Sequence, residues 1–214
     1  MGGTVKAASK SPMAPDIAVE RRKQILKAAV ETFAEKGFHA TRVSDVARRA
    51  GVAYGLIYHY FSSKDDLLES IFQDNWSIFL KVLEELHADA SLPAVEKLAR
   101  VAGLLVDALQ VVPATMQVII REVSRSARFV QPEKLRAFDA AFDAIEAIIG
   151  QGQEAGQIDA EIDRRVAAHM FMGALETVCT GVMLGHIDCS TPEASEQVKQ
   201  TIARVLVGGI RQPS

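Results

Sequence analysis

Residues 37–61 contain two short stretches of helical apolar spacing separated by a single glycine, and few folds accept that punctuation. Val43, Val46, Ala47 and Ala50 recur at the spacing of one helix face, and Gly51 follows at once. After a turn of three or four residues, Val52, Ile57 and Phe61 form a second apolar set. Two helices joined by so short a turn, with a glycine in it, form a helix-turn-helix. A helix from about 17 or 20 to Lys36 precedes them, with Ile25, Ala29 and Phe33 on one face. Gly37 stands where a helix end needs a left-handed residue, and Phe38 is placed to fold back on Phe33. Thr41 is the expected N-cap of the second helix. Ser63 with Asp66 predicts the start of a fourth, long helix reaching about His87.

The remaining chain reads as helix after helix. Stretches opening at Pro93, Pro113, Pro132, Asp163 and Pro192 carry apolar residues three and four apart, and they are expected to end near 110, 126, 155, 185 and 208. No segment shows strand alternation. The fold expected is all-α, in three parts. Residues 1–17 form a flexible basic arm, 18–65 a three-helix head with the helix-turn-helix, and 66–214 a helical body reached through the long fourth helix.

Charge is divided along the chain. Residues 1–64 hold 11 Lys/Arg against 5 Asp/Glu, and residues 65–214 hold 13 against 22, so a basic head precedes an acidic body. That division suits a protein that touches phosphates with one end only, although a solvated surface of uneven charge gives the same count. Cys179 and Cys189 show no metal-ligand spacing and are expected to be reduced thiols in a cytoplasmic protein. The five histidines lack metal spacing, and no glycine-rich phosphate loop follows a strand, so no catalytic residue, cofactor or metal is expected. The longest apolar run, 166–187, is interrupted by His169, Glu176 and His186 and is expected to fall short of a membrane span.

Within the helix-turn-helix, Ile57 and Phe61 must face the first helix, which leaves Tyr54, Gly55, Tyr58 and His59 on the free face. Gly55 permits close backbone approach to a ligand, and Tyr and His can donate to phosphate oxygens. The string Gly37-Phe38, Thr41, Val43, Val46-Ala47, Ala50-Gly51-Val52, Gly55, Leu56-Ile57-Tyr58-His59-Tyr60-Phe61, Lys64 and Leu67-Leu68 closely resembles the TetR family of transcriptional regulators. The resemblance implies a repressor that binds a palindromic duplex DNA operator as a homodimer and responds to a small molecule. It implies phosphate or base contacts by Thr41, Arg42 and Ser44, by Tyr54, Gly55, Tyr58 and His59, and by Lys64. Ala53, Tyr54 and Leu56 depart from residues common in the family, at positions that set operator sequence. A sensor or carrier without operator binding is the alternative, and the intact basic head argues against it.

In the body, an effector pocket is expected among the helices opening at 93, 113, 132 and 163. Its apolar candidates are Leu105, Met116, Ile119, Phe138, Phe142, Met170, Phe171 and Met183, which serve equally as plain core. Arg121, Arg125 and Arg128 form a basic cluster beside them, so an amphipathic anion would fit. The runs 121–126 and 152–158 are similar to the fatty-acid-degradation repressors of the same family. That similarity implies a long-chain acyl-CoA effector, with a hydrophobic drug-like or aromatic molecule as the alternative. The family pairs its last two helices across a twofold axis. Here Gly173, Ala174 and Gly181 are small enough for close approach between 163–185 and 192–208.

Overall fold

A computed structural model describes residues 15–123 and 132–210. Among the described residues there is no β-strand, and the helices are α1 (Pro15–Lys36), α2 (Val43–Ala50), α3 (Tyr54–Tyr60), α4 (Lys64–Ala88), α5 (Ala94–Val111), α6 (Pro113–Val118), α7 (Pro132–Glu154), α8 (Arg164–Met183) and α9 (Pro192–Ile202). The chain divides into two compact units, one ending at Leu68 and the other beginning at Glu69. The sequence expectation placed that boundary at 65/66.

In the first unit, α1 packs on α2 and α2 on α3. Two glycines make the tight geometry possible. Gly37 has φ 79° and Gly51 has φ 65°, a region where a side chain on Cβ is strained. The Gly37 amide donates to the Phe33 carbonyl at 2.8 Å, and Phe38 folds back edge-to-face on Phe33 with centroids 5.2 Å apart. Ile25, Ala29, Phe33, Phe38, Val46, Ala47, Ile57 and Phe61 are buried and form the unit's core. Each large member contributes roughly 1.5–3 kcal/mol through removal from water. Polar ties hold the rim. Gln24 Nε2 donates to the Ala50 carbonyl at 2.6 Å, and Arg49 ion-pairs with Glu35 and Glu31 of α1. Arg49 thus serves the packing of the head.

The second unit is organised around α5, which packs on α7, α8 and α9, while α7 packs along α8. Leu98, Val101, Val106, Ile145, Ile148, Ile149, Ile158, Ala168 and Leu175 are all buried in its main core. The starts of α8 and α9 carry side-chain caps. The Asp163 carboxylate accepts from the Val166 amide at 2.8 Å, and the Thr191 hydroxyl from the Ala194 amide at 3.1 Å. One buried cation was not anticipated. Lys97 is 3% exposed, and its ammonium donates to the His87 carbonyl at 3.0 Å and to Gln151 Oε1 at 2.9 Å. Gln151 Nε2 donates to the same carbonyl at 3.1 Å, so α5 and α7 jointly fasten the last turn of α4.

Three sequence expectations are corrected here. The helix opening at Pro113 does not run on as regular α-helix, because α6 gives way at Ile119–Val123 to a wider π turn. The last helix likewise ends at Ile202 and continues as a π turn over Ala203–Val207 and a 3₁₀ turn over Gly208–Ile210. Finally, α8 is long and apolar enough, by length and composition, to cross a bilayer, despite its histidine and glutamate. Its face made by Ala167, Ala168, Phe171, Leu175 and Cys179 is buried in the protein, and the core helix of a packed domain passes the same test.

Candidate nucleic-acid interface and effector region

The burial of Ile57 and Phe61 on one side of α3 turns the opposite side outward. Tyr54, Gly55, Tyr58 and His59 are exposed there, as the spacing predicts. Tyr54 and Tyr58, one turn apart, pair with each other. Their hydroxyl oxygens are 2.9 Å apart, and their rings meet edge to face with centroids at 5.2 Å. The hydrogen bond with Tyr54 raises the Tyr58 phenol above its ordinary value of 10.0, so the Tyr58 hydroxyl keeps its proton at physiological pH.

Across from the tyrosines lies the start of α2. Thr41, Arg42, Val43, Ser44, Tyr54, Tyr58 and Lys64 line one open depression of about 420 Å³. Six of the eight residues expected to contact DNA therefore lie around one concavity, with Gly55 and His59 beside it on α3. The first-turn amides of α2 have no partner four residues back within the helix, so this rim suits an anion. Arg42 and Ser44 are exposed on it. Asp45 accepts the Arg42 amide at 3.1 Å and fixes the helix start. That hydrogen bond, together with Lys36, holds the Asp45 carboxyl below its ordinary value of 3.8.

Two of the eight residues also have packing roles that the sequence did not suggest. Thr41 is not the N-cap of α2; Arg42 holds that position. The Thr41 side chain is 2% exposed, and its hydroxyl donates to the Gly37 carbonyl at 2.8 Å, with the Thr32 carbonyl at 3.4 Å. It fastens the α1–α2 loop, because a cap shifted by one residue turns the hydroxyl inward. The Lys64 ammonium donates to the carbonyls of Phe38 at 2.6 Å and Thr41 at 2.9 Å, reaches that of His39 at 3.3 Å, and lies 4.4 Å from the Phe38 ring centroid. Lys64 thus stitches the same loop to the first turn of α4. Only the proximity of these carbonyls in space reveals the role, and sequence spacing carries no sign of it.

In the body, the expected effector residues divide into groups. Ile119 and Phe138 pack with Phe72 and Trp76, where Phe138 lies 5.2 Å from Phe72 and 4.9 Å from Trp76 between centroids. Leu105, Met116 and Met183 pack around Leu109, Ile120 and Cys179. Burial pushes the Cys179 thiol up to about 11, with a smaller contribution from nearby Cys189. Phe142 stacks on His169 with centroids 4.2 Å apart, and Phe171 is buried in the main core. Met170 corrects the expectation. It is 69% exposed, because it lies on the side of α8 turned away from the buried face of Ala168, Phe171 and Leu175. Arg121 is exposed, and Arg125 and Arg128 lie outside the described residues. Phe72 and Trp76, whose i, i+4 spacing on α4 was visible in the sequence, were the aromatic partners not foreseen.

Comparison with known proteins agrees with this division. The profile described as "Bacterial regulatory proteins, tetR family" matches residues 25–71, and that described as "YsiA-like protein, C-terminal region" matches residues 72–208. The "Fatty acid metabolism regulator protein" of Bacillus subtilis (strain 168) is 36% identical over 165 residues, covering 75% of this chain and 82% of that protein. Among solved structures, the fatty acid degradation regulator FadR from Bacillus halodurans superposes with a TM-score of 0.78 at 28% identity, covering 95% of this chain and 100% of that one. The transcriptional regulator FadR from Bacillus subtilis, crystallised in complex with stearoyl-CoA, superposes with a TM-score of 0.76 at 31% identity, covering 88% and 98%. With one profile on the head, another over most of the body and relatives aligned along nearly their whole length, the chain belongs to the tetR family of bacterial regulatory proteins and is a ligand-responsive, DNA-binding transcriptional regulator.

Proposed function

We propose that this regulator is a cytoplasmic repressor without catalytic activity. It binds a palindromic operator as a homodimer and is released by a long-chain acyl-CoA thioester held in the body. The observation that carries the effector is the similarity, over almost the full chain, to a regulator crystallised with stearoyl-CoA. The residues of the body are compatible with that ligand. The half-buried Leu105, Met116, Ile119 and Phe138 offer carbon surface, and methionines make adaptable walls for a flexible chain. Arg121 is exposed near the end of the same segment, and a guanidinium suits the phosphates of CoA.

The dimer reading is supported by surface left apolar. Val166, Met170 and Leu184 on or just after α8 are each more than half exposed, as is Val205 after α9. Val166, Met170, Gly173 and Thr177 fall on one stripe of α8, continued by Leu184 just after it, with small residues where a second helix would approach. Met170 belongs to that stripe. In this mechanism α4 connects ligand to DNA. A ligand that displaces its C-terminal part moves the two heads away from the spacing of one helical turn, ~34 Å, that successive major grooves require. Coupling of roughly 1–3 kcal/mol is typical of such linkage.

The test is fluorescence anisotropy of an operator duplex titrated with acyl-CoA of increasing chain length, beside free CoA and free fatty acid. Release by long acyl-CoA alone is expected, with weaker release in Arg121→Ala. An operator affinity indifferent to all of these ligands overturns the acyl-CoA effector and leaves the DNA-binding assignment standing. Sedimentation at micromolar concentration should give a dimer, and a monomer there overturns the twofold arrangement.

A further inference from the structure

The outward side of α3 is built almost wholly of aromatic carbon. Tyr54, Gly55, Tyr58 and His59 are its exposed residues. None carries the amide or guanidinium that makes bidentate pairs with adenine or guanine in the major groove, and none carries a carboxylate for cytosine. The two phenol hydroxyls already hold each other, 2.9 Å apart. One donates and the other accepts, so the pair keeps a single proton for an outside acceptor. Beyond that and the remaining lone pairs of the two oxygens, most of what it presents is the carbon of two rings, 53% and 46% exposed. Gly55 adds no side chain, and a Cβ built there would meet open space, so a duplex can approach the backbone beside the rings. Thymine is the base that shows carbon in the major groove, as its 5-methyl group.

We propose that the Tyr54–Tyr58 pair is the specificity-determining element of the head, and that it selects thymine by packing ring carbon against the 5-methyl group. The inference rests on the head being a DNA reader. The mutual hydrogen bond suits this role in two ways. It orients both rings before DNA arrives, so less side-chain freedom is lost on binding. It also gives each hydroxyl a partner that survives removal from water. Tyr54 is the first residue of α3, where recognition helices reach base edges, and Tyr58 follows one turn later. Arg42 and Ser44, across the depression, are left for phosphate contacts that carry no sequence information.

A duplex enriched from a randomised pool by the full wild-type chain supplies the probe. Each dT in it is replaced singly by dU, which deletes only the 5-methyl group, and Kd is read by anisotropy. In each half-site, wild type should lose about four-fold in affinity per contacted methyl group, with no loss at dT outside the half-sites. Tyr54→Phe and Tyr58→Phe keep the rings and should keep the dU penalty. Tyr54→Ala and Tyr58→Ala should each abolish it at the position that ring faces. Titrations of the alanine variants run at low salt, where phosphate contacts keep weak complexes measurable. A wild-type scan with no dU-sensitive position overturns the proposal and leaves the DNA-binding assignment intact. So does a dU penalty that survives in both alanine variants. Failure of the wild-type chain to enrich any duplex removes the DNA-reading premise itself.

Discussion

The head and the body are both helical, yet they are specified in different ways. The head closes a small core by docking two short helices, α2 and α3, on α1, so almost every apolar residue in it has one possible place. Gly37 and Gly51 must each take a left-handed conformation, and Lys64 must reach three carbonyls of the α1–α2 loop. The body has more helices and a larger core in which Ile145, Ile148 and Ile149 are wholly buried, and its contacts are mostly carbon against carbon. Such a core accepts many combinations of similar volume. A reading head repeated across a family therefore keeps fixed spacings, while a ligand-binding body can vary its walls on a common frame.

If that contrast is right, one lost side chain should matter more in the head. Ile57 is 1% exposed and anchors α3 to the rest of the unit. Ile57→Ala should cost about 2–5 kcal/mol, a large share of what so small a core supplies. Operator binding should vanish while the unfolding transition of the body persists in calorimetry. A single unshifted transition with binding intact would break the comparison.

A body mutation of similar severity should leave the reading surface alone. Lys97→Ala removes one of the two donors to the His87 carbonyl and leaves Gln151 Oε1 without its ammonium. The loss should be about 1–3 kcal/mol in denaturant unfolding. Operator affinity without effector should stay at the wild-type value, whereas the response to effector should change, because the last turn of α4 loses a fastening. Unchanged unfolding would show that the buried ammonium contributes nothing net to stability.

The division between phosphate and base contacts can be sharpened by salt. Arg42 is exposed on the rim of the depression. Arg42→Ala should reduce the steepness of log K against log salt by about 0.9, the contribution of one neutralised phosphate. It should weaken binding to specific and random duplexes alike. A change confined to the specific duplex would move Arg42 to the base-reading group.

How far the sequence showed all this follows from the same contrast. The element order and the free face of α3 were legible, because Gly51 and the set Val46, Ala47, Ile57 and Phe61 permit one docking of two short helices. The packing roles of Thr41 and Lys64 were not legible, because their partners are backbone carbonyls, which every residue has and no spacing reveals. In the body, methionine and phenylalanine at helical spacing fit core, pocket wall and subunit interface equally well. Met170 turned outward and Phe171 inward, although adjacent in sequence. The π turn at Ile119–Val123 left no trace either, since a change of helical pitch over five residues does not disturb an apolar pattern.

The smallest effect separates the two demands on α3, stable folding and contact with DNA. Gly55 sits in the first turn of the helix, exposed, and its φ lies outside the left-handed region. A Cβ there would meet no atom within 4 Å. The fold therefore does not require glycine at this position. Glycine disfavours a helix by up to about 1 kcal/mol relative to alanine, so Gly55→Ala should leave the melting temperature unchanged or raise it slightly. Operator affinity should fall, because the added methyl group projects from the face that a duplex must approach. Opposite signs in the two measurements would show that the glycine is kept for its ligand. A variant that melts earlier would place an unseen steric demand inside the head. One that binds the operator as tightly as wild type would mean that α3 does not bring its backbone close to DNA at Gly55, and the contact would then belong to the tyrosines and to the start of α2 alone.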